Sequence, residues 1–119
     1  MRIMIVDDNT SSRFIIRDLL ESRGHRIVAE TETLDASLEA YRTHRPDLVT
    51  LDLSLAEGDG LSVLSAILKL DERAKILIIT GNAQQKIHEQ ACAAGAGGVL
   101  LKPFGLEELA RAVESVQSR

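Results

Sequence analysis

The sequence predicts an α/β domain: a parallel sheet of five strands with helices on both faces. Three observations carry that prediction. Short runs rich in Ile, Val and Leu recur along the chain with little polar alternation, as in strands covered on both faces. Between them lie segments whose apolar residues fall at helical spacing. The two kinds of segment alternate at roughly 20–30 residues per unit, the size of a βα repeat. Such alternation pairs the strands in parallel and places helices on both sides.

Taken in order, the first run is IMIV from Ile3, and it leads directly into Asp7 and Asp8. The next segment, SSRFIIRDLLESRG, repeats apolar residues at Ile15, Ile16, Leu19 and Leu20 and ends in Gly24, a residue suited to closing a helix. RIVAE from Arg26 is the second strand. LDASLEAYRTHRP then places Leu34, Leu38 and Tyr41 on one helix face and stops at Pro46. The third strand lies in DLVTLDL from Asp47, followed by LSVLSAILKL with Leu61, Leu64, Ile67 and Leu68. ILIIT from Ile76 is the fourth, followed by QQKIHEQACAAG with Ile87, Ala91 and Ala94 ahead of Gly95. GVLLK from Gly98 is the fifth. The last helix, GLEELARAVESVQ, has the cleanest stripe: Leu106, Leu109, Ala110, Val113 and Val116. The GAGG stretch from Gly95 reads as a helix stop and a tight turn into the fifth strand. No linker or low-complexity segment interrupts the series, so residues 1–119 read as one domain.

Composition narrows the function classes. With 45% hydrophobic and 27% charged residues, the chain can fill a core and has no disordered character. A net charge of -4, without a basic stripe, argues against direct nucleic-acid binding. The apolar runs are too short to span a membrane, and the aspartate pair stands where a signal peptide would have its apolar core. Cys92 is the single cysteine, has no internal disulfide partner, and is expected to be a small packing residue on the fourth helix. These features together indicate a cytoplasmic protein. His25, His44 and His88 are too scattered to suggest a metal site, and surface or helix-face roles are expected of them.

In open parallel sheets, function gathers beyond the carboxyl ends of the strands. Those ends carry Asp7 and Asp8, Asp52, Thr80, and Lys102 followed by Pro103; only the second end, from Glu30 to Thr33, lacks an obvious partner. In the flavodoxin-like order 2-1-3-4-5, the first and third strands are neighbours and their aspartates face each other. Singly, each residue has a structural explanation: Asp8 or Asn9 as a helix cap, Asp52 in a loop, Thr80 at a turn, Lys102 on the surface. Jointly, three crowded carboxylates repel and need more positive charge than one lysine supplies. Oxygen ligands of this kind select a hard ion, and Mg²⁺ is usually held with several waters retained. A carboxylate beside Mg²⁺ and an ammonium is suited to attack phosphorus, with the hydroxyl supplying a hydrogen bond. On this reading Asp7 and Asp8 hold the metal and Asp52 is the nucleophile.

At these residues, and over essentially its whole length, the sequence closely resembles the receiver domain of two-component response regulators. The resemblance rests on VDDN, LDLSLAEGDG, ITGN and LLKPF, four motifs at the family's spacing. It implies that Asp52 is the phosphoacceptor, that Asp7, Asp8 and Asp52 are Mg²⁺ carboxylates, and that the backbone carbonyl of Ser54 joins them as a ligand. It implies also that Thr80 moves toward the phosphoryl group, that Lys102 pairs with it, and that the Lys102–Pro103 peptide is cis. Asn82 and Ser54 fall at positions beside the path of the hydrolytic water. The implied partners are a histidine kinase or phosphotransfer protein upstream, and a downstream protein reading the fourth helix, fifth strand and fifth helix. Dimerisation is left open.

Two positions depart from the family pattern. Ala56 stands where a proline is usual, and Val99 stands where a Tyr or Phe usually swings inward on activation. The aromatic switch therefore cannot operate here in its familiar form, although the loop from Thr80 to Gln84 is still expected to rearrange.

The chain ends at Arg119, soon after the fifth helix, and is read as a stand-alone regulator that catalyses chemistry only on itself. The main alternative is a receiver-like binding module independent of phosphorylation, to which Ala56 and Val99 point and against which the intact acidic, hydroxyl and lysine set argues. An aspartate-nucleophile phosphatase would carry Asp-x-Asp after the first strand, and a flavodoxin would need a Ser/Thr-rich loop without the acids.

Overall fold

A computed structural model describes residues 1–55 and 59–118; Ala56 lies outside them. Each apolar run forms a strand and each striped segment a helix. Their order is β1 (Arg2–Val6), α1 (Thr10–Ser22), β2 (Arg26–Thr31), α2 (Leu34–His44), β3 (Leu48–Leu51), α3 (Gly60–Leu70), β4 (Ile76–Thr80), α4 (Gln85–Ala93), β5 (Gly98–Leu101) and α5 (Leu106–Gln117). The five strands form one parallel sheet in the order β2-β1-β3-β4-β5.

Register, more than composition, places the strand ends. Val6 lies opposite both Thr31 and Leu51, and Thr80 lies opposite Leu101. Asp7, Asp52 and Lys102 are thus each the first residue past the last ladder position of its strand. Backbone hydrogen bonds hold them there: Asp7 N–H to the Thr31 carbonyl at 3.0 Å, Asp52 N–H to Val6 at 3.0 Å and Lys102 N–H to Thr80 at 2.9 Å.

Because strand side chains alternate between faces, the sheet serves two cores. Met4, Val6, Val49, Leu51, Ile76 and Ile78 meet Tyr41, Val63, Leu64, Ile67 and Ala91 of α2, α3 and α4. Ile3, Ile5, Leu48, Leu77 and Ile79 meet Ile16, Leu20, Leu109, Val113 and Val116 of α1 and α5. Coverage on both faces holds for β1, β3 and β4. The edge strands β2 and β5 are only partly buried, which corrects the expectation for those two.

Helix boundaries follow from their caps. The side chains of Asn9, Thr33 and Asp59 accept the N–H groups of Ser12, Ala36 and Ser62, closing the first turns of α1, α2 and α3. Gly24 takes φ +87° just past α1, the left-handed position a Cβ disfavours. Arg45, next to Pro46, which disfavours the right-handed helical region, ends α2 in the left-handed region at φ 42°.

Several side chains sit on other faces than spacing suggested. Ile15 is 51% exposed beside the buried Ile16, Ala94 is exposed past the end of α4, and Val63 is buried while Leu61 and Leu68 are only partly so. Cys92 is exposed, so it is not the packing residue the sequence suggested. Among the described residues, no helix is long and apolar enough to cross a membrane.

Candidate functional site

The acidic residues at the ends of β1 and β3 share one cation. Lys102 Nζ donates to Asp7 Oδ2 at 2.8 Å and to Asp52 Oδ2 at 2.9 Å. The remaining carboxylate oxygens take backbone donors from the residues that follow. Asn9 N–H reaches Asp7 Oδ1 at 2.9 Å, and Ser54 N–H reaches Asp52 Oδ1 at 2.9 Å. Asp7 is 1% exposed and Asp52 6%, so both carboxylates depend on these donors for the hydration they lose. Burial alone would lower the Lys102 pKa. Its hydrogen bonds to Asp7 and Asp52, with their charges, outweigh that effect and hold it above the ordinary lysine value. The ammonium therefore stays charged between them at neutral pH.

This cluster opens onto a cavity of about 560 Å³. Asp8, Asn9, Ser11, Ser12, Asp52, Ser54, Asn82 and Lys102 supply polar wall, while Ile15, Pro103 and Phe104 supply an apolar lip. The structure thus brings Asp8, Asp52, Ser54 and Lys102 to one space, with Asp7 behind it. Thr80 is fully buried at the end of β4, and its hydroxyl accepts the N–H of Asn82 at 3.2 Å. It is not part of the cavity wall. The Lys102–Pro103 peptide is cis, as the resemblance implied. Val99 is partly buried and packs against the core of α2, α3 and α4.

The donor set suits a hard cation. Asp8 and Asp52 line the cavity beside hydroxyl and amide side chains, with no thiol or imidazole among the lining residues. Among the described residues, no three His, Cys, Asp or Glu side chains converge closely enough to hold an ion by themselves. An ion here would keep waters in its shell, which is how Mg²⁺ is commonly bound.

Two supporting residues escaped the sequence reading. Arg13 of α1 donates to the Asp7 carbonyl at 2.6 Å and to Glu32 Oε1 at 2.6 Å, with Nε 3.5 Å from Glu30. Arg17 meets Glu30 at 2.7 Å. The acids at the second strand end, unpartnered in the sequence, are therefore the counter-charges of α1, and Arg13 ties them to the backbone of the acidic pair. Gly60 is the other. A Cβ there would lie 2.3 Å from the Asp52 carbonyl oxygen and 2.5 Å from Leu53 Cα. Only glycine allows α3 to start so close to the backbone of Asp52. A glycine directly after the capping Asp59, at the first helical position, was the available signal.

Comparison with known proteins bears on the family and the fold. The family model described as "Response regulator receiver domain" matches residues 3–114. The chemotaxis protein CheY of Bacillus subtilis (strain 168) is 38% identical over 112 residues, covering 94% of this chain and 93% of the relative. A solved two-component response regulator of the LuxR family, from Aurantimonas sp. SI85-9A1, superposes with a TM-score of 0.93 at 35% identity, covering 98% of this chain and 84% of that one. The CheX-CheY-BeF3-Mg+2 complex from Borrelia burgdorferi contains a chain with TM-score 0.92 and 25% identity, covering 98% of this chain and 88% of that one.

Proposed function

This chain belongs to the response regulator receiver-domain family, and from that membership we propose that Asp52 is the residue that carries the phosphoryl group in two-component signalling. The observation that carries the proposal is the Lys102 ammonium bound between Asp7 and Asp52 at the wall of an open cavity.

The chemistry follows from the residues. Ser54 N–H and Lys102 Nζ fix the plane of the Asp52 carboxylate, so one of its oxygens meets phosphorus without first being oriented. A bond forms from that oxygen to phosphorus as the bond from phosphorus to the donor nitrogen of a phosphohistidine breaks. The electron pair leaves with the donor imidazole. Lys102 then neutralises an oxygen of the transferred group, having already been held charged beside it. The Thr80 hydroxyl turns from Asn82 to hydrogen-bond the same group. Asn82 and Ser54, both in the cavity wall, border the route by which water reaches phosphorus.

Receiver domains generally bind Mg²⁺. In this chain the carboxylates of Asp7, Asp8 and Asp52 and the carbonyl of Ser54 would hold it. Bound there, the ion offsets negative charge on the phosphoryl oxygens. The chain is a signalling domain that catalyses only its own phosphorylation and dephosphorylation, and it acts in the cytoplasm.

The phosphodonor, a histidine kinase or phosphotransfer protein, must approach through the cavity mouth. There the exposed Ile15, Pro103 and the partly buried Phe104 offer it apolar contact. A downstream protein reads α4, β5 and α5, where the edge strand leaves Leu101 42% exposed.

Intact mass after incubation with acetyl phosphate and Mg²⁺ tests the reading. One phosphoryl adduct is expected on the natural chain and none on Asp52→Asn. No adduct on the natural chain, with Mg²⁺ binding confirmed separately, would favour a binding module independent of phosphorylation.

A further inference from the structure

Asn82 joins the cavity to α4 through hydrogen bonds that the phosphoryl chemistry itself does not need. Its N–H binds Thr80 Oγ1 at 3.2 Å, and its side-chain oxygen takes the N–H of Gln84 at 2.9 Å. Its backbone carbonyl lies 2.5 Å from Nε2 of His88, inside α4. A carbonyl only accepts, so Nε2 carries the proton in this contact.

Backbone bonds tie the first turn of the helix to Gln84, whose carbonyl accepts Ile87 N–H at 3.1 Å and His88 N–H at 3.2 Å, but side chains add little else. Gln84, the N-cap residue, makes no side-chain capping bond, and Ala91 is the only fully buried residue of α4. The other side-chain hydrogen bond of α4 among the described residues, Gln85 to Glu89, stays within the helix. Among the described residues, His88 thus makes the one side-chain hydrogen bond from the cavity wall into α4.

We propose that His88 is the positioning residue that makes α4 follow the state of the cavity, a role that rests on Asp52 being the phosphoacceptor. If the Thr80 side chain rotates to bring Oγ1 to a phosphoryl group, Asn82 N–H loses its acceptor or follows it. Asn82 then shifts, and the same residue carries the carbonyl that His88 grips. The helix moves with it or the bond breaks; either outcome is registered in α4. With alanine at position 88 only the backbone bonds to Gln84 remain to carry the movement, and they reach no further than the first turn. Glutamine retains an N–H donor on a side chain of comparable reach.

Amide hydrogen exchange over residues 85–93, with and without acetyl phosphate and Mg²⁺, tests the link, with intact mass read on the same samples. In the natural chain, phosphorylation should change exchange through α4 by about fivefold, the factor that one net hydrogen bond carries. His88→Ala should form the same adduct, and its α4 should respond by less than about twofold. His88→Gln should restore most of the natural response. A full response in phosphorylated His88→Ala overturns the proposal, and so does failure of glutamine to restore it. Absence of adduct on the natural chain removes the underlying reading and the link with it, and the mass shows this before any exchange is measured.

Discussion

Lys102 is where two carboxylates on neighbouring strands become compatible with burial. Its bridge to Asp7 and Asp52 replaces water on both. Lys102→Ala should therefore lower the rate of adduct formation with acetyl phosphate roughly a hundredfold, the effect of losing one group aimed at developing charge. It should also destabilise the fold by roughly 3 kcal/mol, because it leaves two buried carboxylates without their cation. The pH dependence has a definite sign. The folded-state pKa of Lys102 is raised above the ordinary lysine value of 10.5, so its contribution is complete below that value and is lost only as pH rises through the folded-state value. Urea unfolding should show a constant gap between variant and natural chain from neutral pH upward, closing only in strongly alkaline solution. A gap that closed near neutrality would sink this account of the bridge. Asp7, Asp52 and Lys102 were legible in the sequence because apolar runs announce where strands end. Arg13 and Gly60 were not. Their partners are the carbonyls of Asp7 and Asp52, and a sequence does not mark which backbone atoms come close.

At the level of elements, the β3–α3 connection decides where Asp52 stands. Gly60 N–H bonds the Leu53 carbonyl at 3.0 Å while its Cα packs on the Asp52 peptide. Gly60→Ala would force backbone against backbone, which no side-chain rotation relieves. It should destabilise the chain by about 1–3 kcal/mol and slow phosphorylation at Asp52 by moving its carboxylate away from Lys102. Thermal unfolding and the intact-mass time course together check this; an alanine variant natural in both would show that α3 is free to retreat. The elements themselves were read to within a residue or two, since length and spacing suffice for that. Their faces were less legible. Ile15 and Ile16 are adjacent and equally apolar, and only packing against β1 and α5 decides that Ile16 enters the core while Ile15 borders the cavity. Ala94 and Cys92 were misjudged similarly, because a nine-residue helix of small side chains has no strong stripe to set its phase.

For the whole molecule, strand order was the feature least accessible from residues alone. Right-handed crossovers constrain how successive strands connect, but not which strand lies at the centre. The order came from the resemblance, and it is what makes β1 and β3 neighbours and brings their acids to one cavity. That convergence couples ion binding to folding. Only the native register assembles the oxygens of Asp7, Asp8, Asp52 and Ser54, so Mg²⁺ should bind the folded chain and not the unfolded one. At ten times its dissociation constant, an ion with that preference stabilises by about 1.4 kcal/mol. In a domain of this size that corresponds to a rise in Tm of roughly 5 °C. Matching the ionic strength with NaCl should give a much smaller rise, because screening acts on all charges and assembles none. Asp8→Asn and Asp52→Asn each remove one of the proposed anionic ligands and should cut the Mg²⁺-dependent rise by more than half. If both variants gained as much from Mg²⁺ as the natural chain, the ion would be acting elsewhere on the acidic surface, and the cavity would have to do its chemistry with Lys102 as its only cation.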